Sequence, residues 1–486
     1  MRQNSVRLTT IVATLGPAVA DEALVRQLIE AGMDVARMNF AHGNLEEHNQ
    51  TLARLRKVAE ECGKFVAVLQ DLAGPKLRLR TRKEKGVDVR RGDRLSLGRD
   101  LAAAGGSPDI ASTYPGIVDD CREGEPVLFG DGAVRMRVAE VAKDRLILES
   151  EDDGTLASGM GINLPQTNVR LSSMGEKDWQ DLEWGLAHEV DYVGLSFVRT
   201  ADEVGAVKRF IADRGSRAGV IAKVEKPQAV ENIDAILAEC DGLMVARGDL
   251  GAEMDLARVP IIQKDLIRRA AKAGVPVITA TQMLQSMIKE PRPTRAEVSD
   301  VANAVFDGSD AVMLSGETSI GLHPVRAVEM MNHIIDEVEH YALEARWPPP
   351  AVLEDRYVWA ERAIALGAAG IARDLGVALV VVLTHSGATA LLLSKQRLDV
   401  PILAVSDGVD TCRRMALYRG VLPVHHPNLI SSDTLAAEVE RMALARKLVA
   451  GGERILIISG HFPGQPGGTD TLRVHTVSAS KERGAS

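Results

Sequence analysis

The sequence predicts an α/β protein: a (β/α)8 barrel, a small β-barrel lid domain inserted into it, and a doubly wound α/β domain after it. Three observations carry this. Eight short apolar runs, at 8–13, 35–40, 65–71, 192–198, 219–224, 242–246, 275–280 and 311–315, alternate with amphipathic helical patterns. Nearly every run ends in a reactive group, namely Asn39, Asp71, Ser196, Glu225, Asp249, Thr281 or Glu317. A closed barrel gathers these at one mouth, whereas two open sheets would scatter them. The third and fourth runs are ~120 residues apart, far more than one loop and helix require.

Taken in order, residues 1–76 and 167–347 are expected to form the barrel and 77–166 the insertion. Within the insertion, VDVRRGDRLSLG, EPVLFGD, AVRMRVAEV and RLILESE read as short strands punctuated by glycine and charge. Hung over the barrel mouth, such a domain can exclude water. Asp131, in FGDGAV, marks a turn of it. Ser173-Met-Gly-Glu176 has the spacing of a capping box and is expected to open the helix carrying Trp179 and Trp184. Pro227 is expected to end the fifth strand, with a helix over about 229–237. A helix over 324–345 precedes ARWPPPAVLEDR, whose three prolines mark a boundary. In 351–486, runs at 378–384, 401–406, 421–425 and 454–459 alternate with helices, and LRVHTV closes the sheet.

Composition narrows the function. The 486 residues carry 58 Lys and Arg against 67 Asp and Glu, a net charge of −9, which argues against nucleic acid as a partner. Aromatic residues are 3% of the chain, too few for a base-stacking surface. Four dispersed cysteines lack zinc or disulfide spacing and fit a reducing compartment. No apolar run suits export or membrane insertion, so a cytoplasmic enzyme with no membrane partner is expected.

The chemistry concentrates in Gly219–Gly251. Lys223 and Glu225 are two residues apart on a strand, so they leave the same face about 6.6 Å apart along it. Such a pair can be a buried structural ion pair. With Asp249 at the end of the next strand, it also suits magnesium carrying phosphate oxygens, which takes one or two carboxylates plus substrate oxygens. Glycines beside Asp249 let the backbone approach an anion. In the last domain, Thr384-His-Ser-Gly-Ala-Thr389 lies between strand and helix and offers small hydroxyls and a glycine to a phosphate, or forms a plain capped turn. Gly464–Thr469 is a second glycine-rich loop.

AKVEKPQAVENIDAIL and GLMVARGDLG, with RMNFAHG at 37–43, TATQML at 279–284 and PTRAEVSDVANAVFDGSDAVMLSGET at 293–318, resemble the signature segments of the pyruvate kinase family along essentially the whole chain. The resemblance implies phosphoryl transfer from phosphoenolpyruvate to ADP, giving pyruvate and ATP. It implies Mg2+ or Mn2+ on Glu225 and Asp249, and Lys223 beside the transferring phosphoryl group and then the enolate oxygen. Arg37 would grip phosphoryl oxygens, and the amides of Gly248 and Asp249 with Thr281 would receive the substrate carboxylate. Arg37, Asn39, His42 and Arg78 would serve the nucleotide, and Glu317 would support the metal site. Either Thr281, through a water chain, or Lys223 would protonate the enolate. Asp131 resembles the family's acidic lid turn. Thr384, Ser386, Gly387, Thr389, Gly467 and Thr469 would bind a phosphorylated allosteric effector, and the family implies a homotetramer.

One departure matters. Potassium-using members read RLNFSHG and DTKGPEIR. Here Ala41 replaces the serine, Leu72 the threonine, and Lys76 the glutamate. Hydroxyl ligands are lost and an ammonium is gained, so the chain is expected not to require K+. Two competing readings are a metal-dependent aldolase or lyase on the same barrel and a catalytically dead metabolite sensor. The first lacks the inserted and effector-like domains, and the second has no use for the full set of Arg37, Lys223, Glu225, Asp249 and Thr281.

Overall fold

In a computed structural model, which describes residues 6–83, 85–101, 108–130, 132–345, 359–427, 434–460 and 469–479, eight parallel strands close into a barrel. Around the barrel their order is Thr10–Leu15, Ala311–Leu314, Val277–Ala280, Gly242–Ala246, Gly219–Val224, Tyr192–Leu195, Ala67–Asp71 and Val35–Asn39. The strands are almost wholly buried, so they read as continuous apolar runs. Side-chain alternation sorts them. Val35, Leu69, Ile221, Met244 and Ile278 pack together as one cluster, while Ala36, Val68, Val220, Ala222, Leu243 and Val277 pack in the cluster that includes the surrounding helices. Counting by twos from Val35, Leu69 and Ile221 gives Arg37, Asp71, Lys223 and Glu225, so the strand period itself delivers these groups to the barrel mouth.

The insertion contributes a seven-stranded sheet and a separate two-stranded one. The first and last members of the larger sheet, Leu79–Thr81 and Ile162–Asn163, are brought together by a bridge between Arg78 and Gly161, which closes it. Leu97, Phe129, Met136, Leu146 and Leu148 fill it. The last domain is a five-stranded sheet ordered Val421–His425, Ile402–Ser406, Leu379–Leu383, Arg454–Gly460 and Thr469–Thr476; only the final pairing is antiparallel. Val380, Val382 and Leu456 pack in one cluster and Leu379, Val381 and Ile455 in another, as expected of a sheet covered on both faces.

This domain plugs the lower end of the barrel. Ala416 and Leu417 join the interior cluster of Val12, Ile221 and Met244. Lys395, just after helix Ala388–Ser394, reaches across to Asp310 at 2.7 Å and to the carbonyl of Val275 at 2.9 Å, fully buried.

Local differences from the sequence reading have simple causes. Pro227 sits in the first turn of helix Pro227–Glu231, where its missing N–H costs nothing, and the helical pattern breaks at Asn232 before Ile233–Glu239. The helix Glu176–Ala187 is capped at Gly175, whose amide donates to Asp178 Oδ2 at 2.9 Å, so Ser173 is not the cap. Asp131, the PPP linker and Gly464–Gly468, with Gly467, lie outside the described residues.

Candidate active site

Lys223 is the hub. Its Nζ lies 2.9 Å from Glu225 Oε1, 3.0 Å from Asp71 Oδ1 and 2.7 Å from Ser196 Oγ, all four side chains being buried. Burial alone would lower the lysine's pKa, but Asp71 and Glu225 outweigh it and hold the ammonium protonated well above its ordinary range. Asp71 likewise sits below the usual carboxylate range: burial opposes ionisation, and Lys223 and Arg37 overcome it. Arg37 donates from Nε to Asp71 Oδ2 at 2.6 Å and from Nη1 to Thr14 Oγ1 at 3.0 Å. Asp71 and Ser196, absent from the sequence-based site, therefore orient its two principal cations. Their position at strand ends was the available signal.

Glu225 is buried, and its Oε2 accepts from the amide of Phe197 at 2.8 Å. Burial and then the charge of Asp249 push its pKa up, against the pull of Lys223. A buried carboxylate repelled by a half-buried one is a setting that a dication relieves. Among the described residues no group of three or more His, Cys, Asp or Glu is arranged to hold a metal. Two carboxylates, Glu225 and Asp249, suit by their chemistry an ion that takes its remaining ligands from substrate and water.

Asp249 lies in helix Arg247–Glu253, which follows the sixth strand directly. Thr281 Oγ1 accepts from the amide of Gly248 at 2.7 Å and donates to the carbonyl of Ala280 at 2.6 Å. The Gly248 amide and the Thr281 hydroxyl proton are thus both already engaged, which leaves the Asp249 amide of the expected carboxylate cradle. Thr281 has φ +70° and Phe197 φ +55°. A β-branched residue in the left-handed region is strained, and such strain persists where the surroundings over-determine it. Here the loop after the seventh strand is braced by Glu317, whose oxygens accept from Leu284 N at 3.0 Å and Ser315 N at 2.7 Å. Both Glu317 oxygens are thereby engaged with the backbone of these loops.

Lys76 Nζ stands 3.8 Å from Asp249 Oδ1 at the mouth, Leu72 is buried, and Ala41 is exposed. Asn39 Oδ1 accepts from the amide of Ala41 at 3.1 Å and the carbonyl of His42 pairs with His48 Nε2 at 3.1 Å, so both residues shape their loop. Arg78 is exposed, donates to the carbonyl of Gly159 at 2.9 Å, and lines a cleft between insertion and barrel with Lys76, Phe197, Lys226 and Asp249. A latch crosses this cleft: Asn163, from the insertion, donates to Glu253 Oε1 at 2.8 Å, and Lys226 binds the same oxygen. Lys226 follows Glu225 and Glu253 lies one helical turn beyond Asp249, spacings that could have flagged both.

In the last domain, Thr384 Oγ1 accepts from the amide of Gly387, which has φ +86°, at 3.0 Å, and Thr389 Oγ1 lies 3.0 Å from Thr469 Oγ1. Ser386 is exposed, and His385 pairs with Asp407 at 2.8 Å.

Comparison with known proteins identifies the family. Residues 6–328 match the family model "Pyruvate kinase, barrel domain" and residues 362–475 match "Pyruvate kinase, alpha/beta domain". The chain is 38% identical over 483 residues to a pyruvate kinase of Sporosarcina psychrophila, covering 99% of this chain and 82% of that one. It is 39% identical over 479 residues to one from Staphylococcus aureus strain MRSA252, with 97% and 81% covered. A crystal structure of a Cryptosporidium parvum pyruvate kinase superposes with a TM-score of 0.89 at 32% identity, covering 97% of this chain and 96% of that one. The chain belongs to the pyruvate kinase family.

Proposed function

We propose that this enzyme, which forms pyruvate and ATP from phosphoenolpyruvate and ADP, works through Lys223, Arg37 and Thr281, needs no potassium, and answers to a phosphorylated effector. The observation that carries the first part is the Lys223 hub. An ammonium held protonated between Asp71, Glu225 and Ser196 is a fixed positive charge, and phosphoryl transfer depends on such preorganised charge. Lys223 neutralises the phosphoryl group in flight and then the enolate oxygen. Arg37, pinned by Asp71 and Thr14, presents its remaining donors to phosphoryl oxygens. A magnesium or manganese ion held by Glu225 and Asp249 would supply neutralising charge to phosphate and carboxylate oxygens. The Asp249 amide receives the substrate carboxylate, joined by the Thr281 hydroxyl when its proton turns from the carbonyl of Ala280. Thr281 orients the water that protonates the enolate, since a strongly held ammonium is a poor acid. Residues 77–166 serve as the lid, with Arg78, Asn39 and His42 on the nucleotide side.

Potassium independence rests on Lys76, whose ammonium approaches Asp249 where a monovalent cation would compete. Leu72 and Ala41 bring no hydroxyl there. The effector reading rests on Ser386 and the hydroxyl pair Thr389–Thr469 around the Thr384 turn. The homotetramer and cytoplasmic setting are taken from family likeness; among the described residues no helix is long and apolar enough to cross a membrane. The test is ATP formation in sodium- and potassium-free buffer with tetramethylammonium holding ionic strength. Full activity is expected, and strong activation by added K+ would overturn the potassium reading alone.

A further inference from the structure

A cavity of about 370 Å³ lies at the lower end of the barrel, against the last domain and away from the mouth. Its apolar wall includes Tyr192, Ile211 and Val275 of the barrel, with Leu391 and Tyr418 of the last domain. Tyr192 donates its hydroxyl to the carbonyl of Arg414 at 2.8 Å, so its polar tip is already satisfied.

The charged rim is unbalanced. Lys208 is spent on Asp241 Oδ1 at 2.9 Å and the carbonyl of Glu239 at 2.8 Å, and Asp241 Oδ2 accepts from Val220 N at 2.8 Å. That pair cancels. Arg217 and Arg414 remain, and both look to one carboxylate, Asp410, at 3.9 and 4.0 Å. Those separations are too long for hydrogen bonds. Arg414 donates to the carbonyl of Arg217 at 3.1 Å, which holds the two residues side by side, and to Thr411 Oγ1 at 3.4 Å, and its buried Nε has no acceptor, so Arg217 is the more open guanidinium. Three cations against two carboxylates leave one positive charge beside an apolar wall.

From this we infer that the cavity is a binding site for a small organic monoanion, a carboxylate on a flat apolar body, bridging barrel and last domain. A carboxylate takes up the guanidinium donors that Asp410 does not reach, in the forked geometry arginine favours. Asp241 is fully engaged, and Asp410 is flanked by two guanidiniums, so a ligand ammonium would meet net positive charge there. A zwitterionic amino acid is therefore disfavoured. A phosphate dianion would exceed the single surplus charge. The inference does not depend on the effector turn at Thr384–Thr389.

The probe is 4-fluorophenylacetate, followed by fluorine NMR line broadening against the full-length enzyme. Saturating phosphoenolpyruvate and Mg2+, without ADP, keep the catalytic mouth occupied. Binding is expected, weakened about tenfold or more by Arg217→Glu, because hydrogen bonds to charged groups are worth roughly 1.5–3 kcal/mol. Arg217 is 60% exposed, so the variant should fold, and its unfolding curve checks this. The neutral 4-fluorobenzyl alcohol should bind at least tenfold more weakly, 4-fluorophenyl phosphate less tightly than the carboxylate, and Ser386→Glu should leave the affinity for 4-fluorophenylacetate unchanged. No broadening at millimolar probe, equal binding by Arg217→Glu, or equal binding of the alcohol would each overturn the inference.

Discussion

Lys223→Met removes one positive charge from between two buried carboxylates while keeping most of the side chain's volume. At 2.9 and 3.0 Å, and with an effective dielectric of about 20, each attraction is worth roughly 5–6 kcal/mol before desolvation is subtracted. Stranding the acids should cost about 3–5 kcal/mol of stability, less than the upper part of the 5–15 kcal/mol range typical of folded domains. The protein should therefore remain folded at 25 °C, more so with Mg2+ beside Glu225. Catalysis should fall further than stability, because removing one preorganised donor to a developing oxyanion costs on the order of 10²–10³ in kcat. The assay couples pyruvate formation to lactate dehydrogenase while Mg2+ and phosphoenolpyruvate are varied. The half-saturating Mg2+ concentration should stay the same or drop, since the ammonium no longer repels the dication. A kcat within a few-fold of wild type would refute the charge-stabilising role. Loss of Mg2+ affinity in step with kcat would refute it equally, showing that Lys223 organises the site instead of acting on charge.

Four further outcomes are expected. Lys76→Glu should create a dependence on K+ that the wild type lacks, read by titrating K+ into tetramethylammonium buffer. Asn163→Ala, which cuts the hydrogen bond from the insertion to Glu253, should raise KM for ADP by up to about tenfold with kcat little changed. Burial lowers the pKa of His48, which faces Asp181, Lys177 and Glu47 and stacks on Phe40 at 4.0 Å. The unfolded state therefore takes up the proton first, and stability should fall as pH drops through about 6.5; His48→Phe should flatten that slope in unfolding curves at pH 7 and 5. Calorimetry with sugar phosphates, AMP and ribose phosphates should find a ligand whose binding is lost in Ser386→Glu and tightened by phosphoenolpyruvate, typically 5–150-fold.

The barrel was legible because buried parallel strands write themselves as apolar runs, and period-two alternation then puts Lys223 and Glu225 on one face. What periodicity cannot reveal is which distant ends meet. Asp71 stands far from Lys223 in the chain, yet its carboxylate fixes both Lys223 and Arg37. Glu317 closes the eighth strand, and only the fold shows that its oxygens accept from the amides of Leu284 and Ser315. Gly248 read as an open amide beside a glycine-rich end, and only the fold brings the Thr281 hydroxyl to it. Caps show the same limit at short range: Ser173 has the right spacing, but Asp178 reaches Gly175 first.

Lys395 and Asp310 bear on how such an enzyme can be recombined. Both side chains are 1% exposed and meet at 2.7 Å across the seam between the two large units. A chimaera joined in the linker would unite an aspartate from one parent with whatever the other carries at 395. With an apolar residue there, Asp310 is left buried without the ammonium, and the graft forfeits about 3–5 kcal/mol; Arg397, at 3.4 Å from Asp310, crosses with the same half. The two positions therefore behave as one inherited character. Parents that match at both avoid this penalty when the halves are exchanged, and parents that differ need the second substitution carried across with the first.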